Sequence, residues 1–279
     1  MPDLLLCGHG YLGQAISRNF KAAGWNVVSL SLSGGEDSLA CDISSRPALE
    51  DLALQPDLVV HCASSGRGGP EAYRAVYLEG CRNLLGRFPD APLLFTSSTS
   101  VYAQTDGSEV TEGSPAEPAQ ETGRILREAE DHVLSRGGIV TRLSGIYGPG
   151  RSVILKKFLA GEAALEEDGR RYLNQIDRDD AAAAILSLAE MALSRVESAR
   201  GAMYNISDSR PLSQAECYRA LSELFHLPFP PSRPRDPDRK RGWTHKRVSN
   251  AKLRGTGWQP RYPCFLDAAP LIAATLGGA

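Results

Sequence analysis

Short apolar runs alternate along the chain with longer stretches in which apolar residues recur at every third or fourth position. The short runs have the length and composition of buried strands, at residues 3–7, 26–32, 57–62, 92–96 and 138–143. The longer stretches have helical spacing, at residues 11–23, 71–87 and 119–136. Continuously apolar strands that alternate with helices are typical of the α/β class. The pattern therefore predicts a parallel sheet with helices on both faces.

The pattern loosens after residue 150. Helical spacing returns at residues 153–160, 179–195, 213–225 and 265–276, and a late strand is expected at 204–206. A segment rich in Pro, Arg and Asp predicts a surface excursion over residues 227–241. We predict a doubly wound domain over residues 1–150 that residues 179–206 rejoin. The remaining segments, 151–178 and 207–279, are predicted to form a smaller C-terminal substrate lobe.

A glycine loop separates the first predicted strand from the first predicted helix. Residues 8–13 read Gly-His-Gly-Tyr-Leu-Gly, which is G-x-G-x-x-G. In such a loop Gly8 permits a tight turn, Gly10 lets a pyrophosphate approach the backbone, and Gly13 lets the helix pack close to the strand. The free N–H groups of the helix N-terminus then face the phosphates, so we predict a Rossmann-type dinucleotide site. The loop's other expected cofactor contacts are Tyr11, Leu12 and His9. The alternative for His9 is that its side chain only fills the loop.

The end of the second predicted strand bears on which dinucleotide is bound. An acidic residue there would bind the ribose hydroxyls of NAD. This chain has Ser31 and Ser33 instead, with no carboxylate before Glu36 and no arginine to pair with a 2′-phosphate. The two serines can donate hydrogen bonds to a phosphate without repelling it. We therefore expect NAD or NADP, with a slight preference for NADP, unless the serines are ordinary turn residues.

The overall composition removes several classes of function. The formal net charge is −2, so no global field favours nucleic acid or an anionic membrane. No apolar run approaches the roughly 20 residues that cross a bilayer, and residues 4–6 are too short for a secretory signal. We expect a cytoplasmic protein with a small-molecule substrate. The six cysteines form no C-x-x-C pair, and no histidine cluster completes a zinc pattern, so no metal is expected.

Several further motifs resemble those of one enzyme family along almost the whole chain. They are Asp42-Ile43, Val59-Val60-His61-Cys62-Ala63, Asn83-Leu84-Leu85, the run FTSSTSVY at 95–102 and the run RLSGIYGPGR at 142–151. Together they resemble the NAD-dependent epimerase/dehydratase family, the extended short-chain dehydrogenase/reductases. The resemblance implies that Asp42 and Ile43 flank the adenine. It also implies that Cys62, Ala63 and Ser64 lie under the cofactor.

The resemblance also implies a catalytic set, and this chain keeps only part of it. Relatives use a Ser or Thr together with a Tyr and a Lys spaced Y-x-x-x-K, in which the Tyr moves a proton and the Lys lowers the pKa of its phenol. Ser98 falls where the catalytic Ser belongs. By the same alignment Thr122 replaces the Tyr and Leu126 replaces the Lys. The usual tyrosine-driven proton transfer is therefore not available from this helix.

Three hypotheses follow from this departure. In the first, Tyr102 is the acid, with Arg124 as a nearby charge, although Tyr102 alternatively only lines the substrate pocket. In the second, catalysis needs no tyrosine, because hydride transfer is the chemistry of the cofactor itself. In the third, the protein binds NAD(P) without turnover and acts as a sensor or partner-binding module. We favour an enzyme, an NAD(P)-dependent oxidoreductase or epimerase.

Two expectations concern the substrate and the oligomer. The segment 233–247 is rich in basic residues, and Arg247 lies where relatives bind a substrate diphosphate, which would suit a nucleotide-sugar-like substrate. The alternative is a solvated charged loop. The predicted helices 71–87 and 119–136 match those through which many relatives dimerise, so both a monomer and a homodimer are consistent with the sequence.

Overall fold

The computed structural model describes residues 1–66, 68–194, 196–234 and 243–276. Over these residues the strands are β1 (Asp3–Cys7), β2 (Asn26–Ser31), β3 (Leu39–Ala40), β4 (Leu58–His61), β5 (Leu93–Ser98), β6 (Glu109–Val110), β7 (Ile139–Leu143), β8 (Gly145–Tyr147), β9 (Leu165–Glu166), β10 (Tyr172–Leu173), β11 (Gln175–Asp177), β12 (Met203–Ile206), β13 (Leu212–Ser213), β14 (Ser232–Arg233) and β15 (Arg247–Val248).

The α-helices over the same residues are α1 (Tyr11–Ala22), α2 (Arg46–Glu50), α3 (Pro70–Tyr73), α4 (Gly80–Arg87), α5 (Glu121–Ser135), α6 (Val153–Leu159), α7 (Arg178–Leu193), α8 (Gln214–Phe225), α9 (Ala251–Arg254) and α10 (Phe265–Leu276). A π-helical stretch, Arg74–Glu79, joins α3 to α4. Short 3-10 turns occur at Thr99–Val101 and Glu197–Ala199. No helix of the described segments combines the length and the apolar character that a bilayer span requires.

Seven strands form one sheet in the order β12-β7-β5-β4-β1-β2-β3, and every neighbouring pair is parallel. The chain winds from β1 outward through β2 to β3, then crosses to β4 and winds outward in the other direction. The order therefore reverses between β1 and β4, which is where parallel sheets of this kind bind ligands. The predicted Rossmann-type doubly wound sheet is confirmed.

The two faces of β1 show how the apolar runs build both helix layers. Leu4 and Leu6 pack into one core cluster with residues of α1 and α7, among them Phe20. Leu5 and Cys7 point the other way, into a second cluster with residues of α4 and α5. Because successive side chains of a strand alternate between faces, a strand covered on both sides must be apolar throughout.

Segments beyond residue 150 contribute to the same sheet. Helix α7 packs on α1, and β12 pairs with β7 at the sheet edge, with Tyr204 opposite Thr141. A third core cluster, which includes Tyr147, Phe158 and Phe265, lies under α6, α8 and α10. The division at residues 150, 179 and 206 into a cofactor domain and a substrate lobe stays a prediction.

Several boundaries differ from the sequence-based expectation. Strand β5 runs on to Ser98, because Ser97 and Ser98 pair with Arg142 and Leu143 of β7. The helix expected at 71–87 is interrupted by the π-helical stretch. The surface excursion expected at 227–241 contains β14, which pairs with β9, and its residues 235–241 lie outside the described residues.

Candidate functional site

The glycine loop has little room at two of its glycines and open space at the third. Gly8 has a φ of 110°, and a Cβ there would lie 2.4 Å from the Ala63 nitrogen. A Cβ on Gly13 would lie 1.9 Å from the Gly8 oxygen, so helix, turn and strand are in direct contact. Gly10 is exposed, and nothing lies within 4 Å of where its Cβ would be. The loop is therefore shaped to leave one backbone surface free for a ligand.

A crevice of about 670 Å³ opens along the carboxyl ends of β1, β2, β4 and β5. Most of the residues that the sequence assigns to the cofactor line it: Gly8, Gly10, Tyr11, Leu12, Gly13, Ser31, Asp42, Ile43, Cys62, Ala63 and Ser64. The other two, His9 and Ser33, line a neighbouring groove, which shares Gly10 and Ser31 with the crevice. The structure thus brings the predicted cofactor residues to one edge of the sheet.

Local hydrogen bonds fix the walls of the crevice. Cys62 Sγ donates to the Gly8 oxygen at 3.1 Å, and burial raises the pKa of this thiol to about 12, so the donor stays protonated. Asn83 Nδ2 donates to the carbonyl oxygens of Ile43 at 3.1 Å and of Ser44 at 2.9 Å. The asparagine of the Asn-Leu-Leu motif therefore holds the turn after Asp42 against helix α4.

Arg151, the last residue of the RLSGIYGPGR run, is a further functional candidate. Its guanidinium lies 5.0 Å from the ring centroid of Tyr11, and it lines the crevice. Arg178 lies 4.9 Å from the same ring, and Tyr11 Oη donates to the Pro149 oxygen at 3.1 Å. Among the described residues Arg151 makes no ion pair. A cation thus lies beside the glycine loop, where a diphosphate would need one.

Ser98 lies at the end of β5 and lines the crevice. Its Oγ accepts a hydrogen bond from the Ser100 nitrogen at 3.2 Å, and within the described segments no acceptor takes its hydroxyl proton. The hydroxyl therefore remains able to donate to a substrate oxygen. Next to it, Ser97 Oγ donates to Glu130 Oε1 at 2.5 Å, and Glu130 forms a buried bidentate ion pair with Arg142. This buried network fixes the strand end that carries Ser98.

Tyr102 does not lie in the crevice, which corrects the first hypothesis. Its side chain is 0 % exposed, and its Oη lies 2.9 Å from both the Thr111 oxygen and Asn205 Oδ1. The Arg142 guanidinium covers its ring at 4.7 Å. Burial raises the pKa of the phenol. A phenol committed to two internal acceptors cannot reach a substrate, so Tyr102 supports the loop rather than donating a proton.

Helix α5, on which relatives carry the tyrosine and the lysine, places the corresponding residues of this chain outside the crevice. Leu126 is buried in a core cluster, at one wall of a cavity that does not share residues with the crevice. Thr122 lines the same cavity, of about 250 Å³, together with Ser100 and Tyr73. Arg124 is exposed and donates to the Ala119 oxygen, which precedes α5, and it does not line the crevice. The roles expected for Tyr102 and Arg124 are therefore not supported, whereas Thr122 lies near Ser100 but not in the crevice.

A phenol that the sequence analysis did not single out lies in the crevice instead. Tyr77, within the π-helical stretch, lines the crevice together with Ser98. Its Oη accepts a hydrogen bond from the Ser65 nitrogen at 3.3 Å. The structure shows no acceptor for its own proton in the part of the chain that it describes. The ring of Tyr73, which lines the smaller cavity, meets that of Tyr77 edge-on at 4.9 Å.

The position of Tyr77 depends on a buried histidine. His61, at the end of β4, is 0 % exposed, and its ring lies 6.4 Å from the Tyr77 ring in a stacked arrangement. His61 Nε2 lies 2.9 Å from the Val76 oxygen, and Nδ1 accepts from the Ala63 nitrogen at 3.3 Å. Burial lowers the pKa of His61 to about 4, so the ring is neutral and Nε2 is the donor. No hydrophobic period in the sequence signals this contact.

Arg247 lies apart from Ser98. It lines a groove of about 530 Å³ together with Arg210 and Arg254, and none of the groove's lining residues lines the crevice. Its Nε donates to the Gly107 oxygen at 3.2 Å. The preceding Lys246 is buried, and its Nζ donates to the Tyr102 oxygen at 2.7 Å. Burial lowers the pKa of this lysine to about 8. Its contact joins the segment that carries β15 to the turn that follows Ser98.

Comparisons with known proteins show the family of the chain. A family model for the NAD dependent epimerase/dehydratase family matches residues 4–207. Protein YeeZ of Escherichia coli K12 is 29% identical over 255 residues, covering 82% of this chain and 86% of that protein. The methionine adenosyltransferase 2 subunit beta of Xenopus laevis is 24% identical over 246 residues, covering 81% of this chain and 72% of the subunit.

Solved structures share the fold over nearly the full length. A candidate NAD-dependent epimerase/dehydratase from Methylobacillus flagellatus superimposes with a TM-score of 0.82 at 26% identity, covering 99% of each chain. An Agrobacterium tumefaciens short-chain dehydrogenase/reductase superfamily protein, with bound NAD, gives 0.79 at 21%, covering 99% of this chain and 97% of that one. The human epimerase family protein SDR39U1 with NADPH gives 0.79 at 18%, covering 99% and 100%. The chain described here belongs to the NAD-dependent epimerase/dehydratase family of extended short-chain dehydrogenase/reductases.

Proposed function

We propose that the protein is an NAD(P)-dependent enzyme that acts on the carbonyl or hydroxyl group of a small substrate, as an oxidoreductase or an epimerase. The observation that carries the proposal is the crevice, in which an open glycine backbone at Gly10 and a free serine hydroxyl at Ser98 line one cavity. Family membership and the neighbours with bound NAD and NADPH support the cofactor.

The residues present fit a nicotinamide dinucleotide. The backbone of Gly8, Gly10 and Gly13 and the Arg151 guanidinium would hold the diphosphate, since N–H groups at a helix N-terminus and a nearby cation both bind phosphate. The Asp42–Ile43 turn would border the adenine. When bound, the nicotinamide supplies the acceptor or donor of a hydride. The chain's own residues must then orient the substrate and manage one proton.

Ser98 and Tyr77 are the two groups that we assign to that proton. The Ser98 hydroxyl would donate a hydrogen bond to the substrate oxygen and hold it in the crevice. Tyr77 Oη would give its proton to that oxygen during reduction and take it back during oxidation. The Ser65 N–H already donates to this phenol oxygen and would stabilise the oxyanion left behind. In this assignment Tyr77 supplies the phenol that Thr122 lacks.

A Tyr77→Phe variant tests the assignment. Full-length protein with NADH or NADPH would be screened by absorbance against a panel of small aldehydes, ketones and keto sugars. We expect the variant to keep its cofactor affinity and to lose about a hundredfold or more in turnover, because a positioned acid contributes that much. Tyr262→Phe, a half-buried tyrosine of the lobe, is the matched control and should keep full turnover. Equal turnover by wild type and Tyr77→Phe removes Tyr77 from the mechanism.

A second candidate function is binding without turnover. The specific observation in its favour is Leu126, which is buried where relatives carry a charged lysine. The similarity to a protein named as a subunit of methionine adenosyltransferase fits the same alternative, in which the lobe or helices contact a partner protein. Tight binding of NAD(P)H with no loss of absorbance across the panel would favour this sensor or partner-binding role.

Arg247 enters only as a proposed contact for an extended substrate. Its groove carries three arginines, which suit a phosphate or carboxylate, but also Glu109 and Glu216. A nucleotide-sugar-like substrate would have to reach from Ser98 into that groove. If Arg247→Ala changes KM for phosphorylated substrates only, the substrate extends that far.

A further inference from the structure

A second groove, also of about 670 Å³, adjoins the crevice on its outer side. Gly10 and Ser31 line both cavities, so the groove opens into the crevice beside the glycine loop at the end of β2. In dinucleotide-binding folds the residue at the end of the second strand contacts the ribose 2′-hydroxyl of the adenosine half. The groove therefore begins where a group attached to the 2′-oxygen would lie.

Hydroxyl donors stand where an NAD-binding protein needs an acceptor. Ser31 Oγ lies 2.8 Å from Ser38 Oγ, and Ser33 also lines the groove. Serine hydroxyl groups can rotate to donate hydrogen bonds to a phosphate, whereas an acidic side chain at position 31 would repel it. The end of β2 thus lacks the group that selects NAD and supplies donors that accept a phosphate.

The first helix adds two cations to the same groove. Arg18 and Lys21 line it, three residues apart on one face of α1. Arg18 Nη2 lies 3.4 Å from Asp179 Oδ1, a contact between two side chains that are each more than half exposed, so the guanidinium is free to turn. Lys21 has no ion-pair partner among the described residues. His9 Nδ1 is buried without a hydrogen-bond partner in the same part of the structure.

Two carboxylates oppose these cations. Glu36 and Asp37 also line the groove, but they stand on the exposed turn 34–38, where water surrounds and screens them. The cations and hydroxyls approach from the helix and the strand end, next to the shared residues. The two turn carboxylates weaken the attraction without removing the donors.

We propose that this groove receives the 2′-phosphate of NADP, so that the protein selects NADP(H) over NAD(H). The proposal rests on the proposed function only in that the crevice holds a nicotinamide dinucleotide. It assigns phosphate-binding roles to Ser31, Arg18 and Lys21 and a repulsive role to Glu36 and Asp37.

The test measures binding rather than turnover. The full chain is titrated with NADPH and NADH by fluorescence, and with adenosine 2′,5′-bisphosphate and adenosine 5′-monophosphate by calorimetry. The 2′-phosphorylated ligand of each pair should bind about tenfold tighter or more, as expected for charge-assisted hydrogen bonds. The preference should shrink as KCl is raised, because salt screens exposed charges.

Variants separate the groove from the rest of the site. Arg18→Ala and Lys21→Ala should each weaken NADPH binding about fivefold and leave NADH binding unchanged. Ser31→Asp should reverse the preference, and Glu36→Gln with Asp37→Asn should strengthen NADPH binding. Arg170→Ala, an exposed arginine of the lobe, is the control and should change neither affinity.

The outcomes distinguish this proposal from the proposed function. Equal affinity for the two coenzymes, or tighter NADH binding, overturns the groove assignment and leaves the reaction intact. Equal losses of NADPH and NADH affinity in Arg18→Ala also overturn it. A clear NADPH preference without turnover on any carbonyl compound supports the groove and contradicts the reaction. Binding of neither coenzyme overturns both.

Discussion

At the residue scale, the three glycines of the first loop have different physical tasks. Gly8 takes a φ of 110° that other residues avoid, and Gly13 lies against the Gly8 carbonyl. Gly10 alone borders open space. The sequence spacing predicted these tasks, because each follows from the absence of a Cβ. The same spacing could not show at which of the three positions the fold tolerates a Cβ.

Replacing Gly13 by Ala should therefore lower the stability, whereas replacing Gly10 by Ala should lower the affinity for NADPH. Gly13→Ala places a Cβ 1.9 Å from the Gly8 oxygen, which should cost about 3 kcal/mol or more of unfolding free energy. Gly10→Ala meets nothing in the protein, so it should fold with nearly unchanged stability but lose NADPH affinity about tenfold or more, because the methyl group occupies the diphosphate surface.

Urea denaturation and fluorescence titration of both variants check this pair. A Gly10→Ala protein that binds NADPH as tightly as wild type would show that the diphosphate does not lie against this loop. A stable Gly13→Ala protein would show that the helix and the turn can separate without cost.

The tyrosines show that the side chains near Ser98 could not be predicted from their positions in the sequence. Tyr102 follows Ser98 closely in sequence and was the natural candidate acid, yet its phenol points into the core. Tyr77 lies on a different element and reaches the crevice. Sequence distance does not predict which phenol lines the crevice with Ser98, because that depends on how a helix crosses the sheet.

At the element scale, the helix between β4 and β5 carries the site's phenol. Its apolar spacing predicted a continuous helix over 71–87, and the structure divides it with the π-helical stretch Arg74–Glu79. Such a stretch is rare in proteins and, where it occurs, is frequently at a functional site. Here the Val76 carbonyl oxygen lies 2.9 Å from His61 Nε2. A residue pattern records helical period but not this tertiary contact, so the interruption was not predictable.

This contact predicts acid sensitivity. The pKa of His61 is about 4 in the folded protein and about 6.5 in the unfolded chain, so the unfolded state binds the extra proton between these values. Stability from the neutral ring is fully present above pH 6.5 and is lost progressively as the pH falls to 4. The loss should reach about 3 kcal/mol.

The measurement compares the urea stability of wild type and His61→Asn at pH 7, 6, 5 and 4. The variant should be less stable at pH 7, and its disadvantage should shrink toward pH 4, because the carboxyl groups that also titrate are common to both proteins. A difference in unfolding free energy that stays constant over this range would contradict a neutral buried His61.

At the scale of the whole molecule, the strand order brings distant segments to one edge. Residues after β1, β2, β4 and β5 meet in the crevice because parallel strands present their carboxyl ends on one side. The sequence predicted the sheet, its main strands and many of the residues that line the crevice, since buried strands and glycine loops leave strong local signals.

The segments 151–178 and 207–276 were less predictable from the sequence. Their described strands are two or three residues long and pair with segments far along the chain, as β15 does with β6 and β14 with β9. Such short pairs carry no period of their own and form only when the rest of the fold has brought the partners together. The same long-range folding places Lys246 against the turn after Ser98 and separates Arg247 from it.

A crystal structure of the protein with NADPH tests the central claim most directly, namely that this crevice binds a nicotinamide dinucleotide with Ser98 and Tyr77 at its reacting end. We predict that the diphosphate lies against the Gly10 backbone beside Arg151, with the nicotinamide near the hydroxyl groups of Ser98 and Tyr77. A dinucleotide bound elsewhere, or a nicotinamide directed away from both hydroxyl groups, would contradict it.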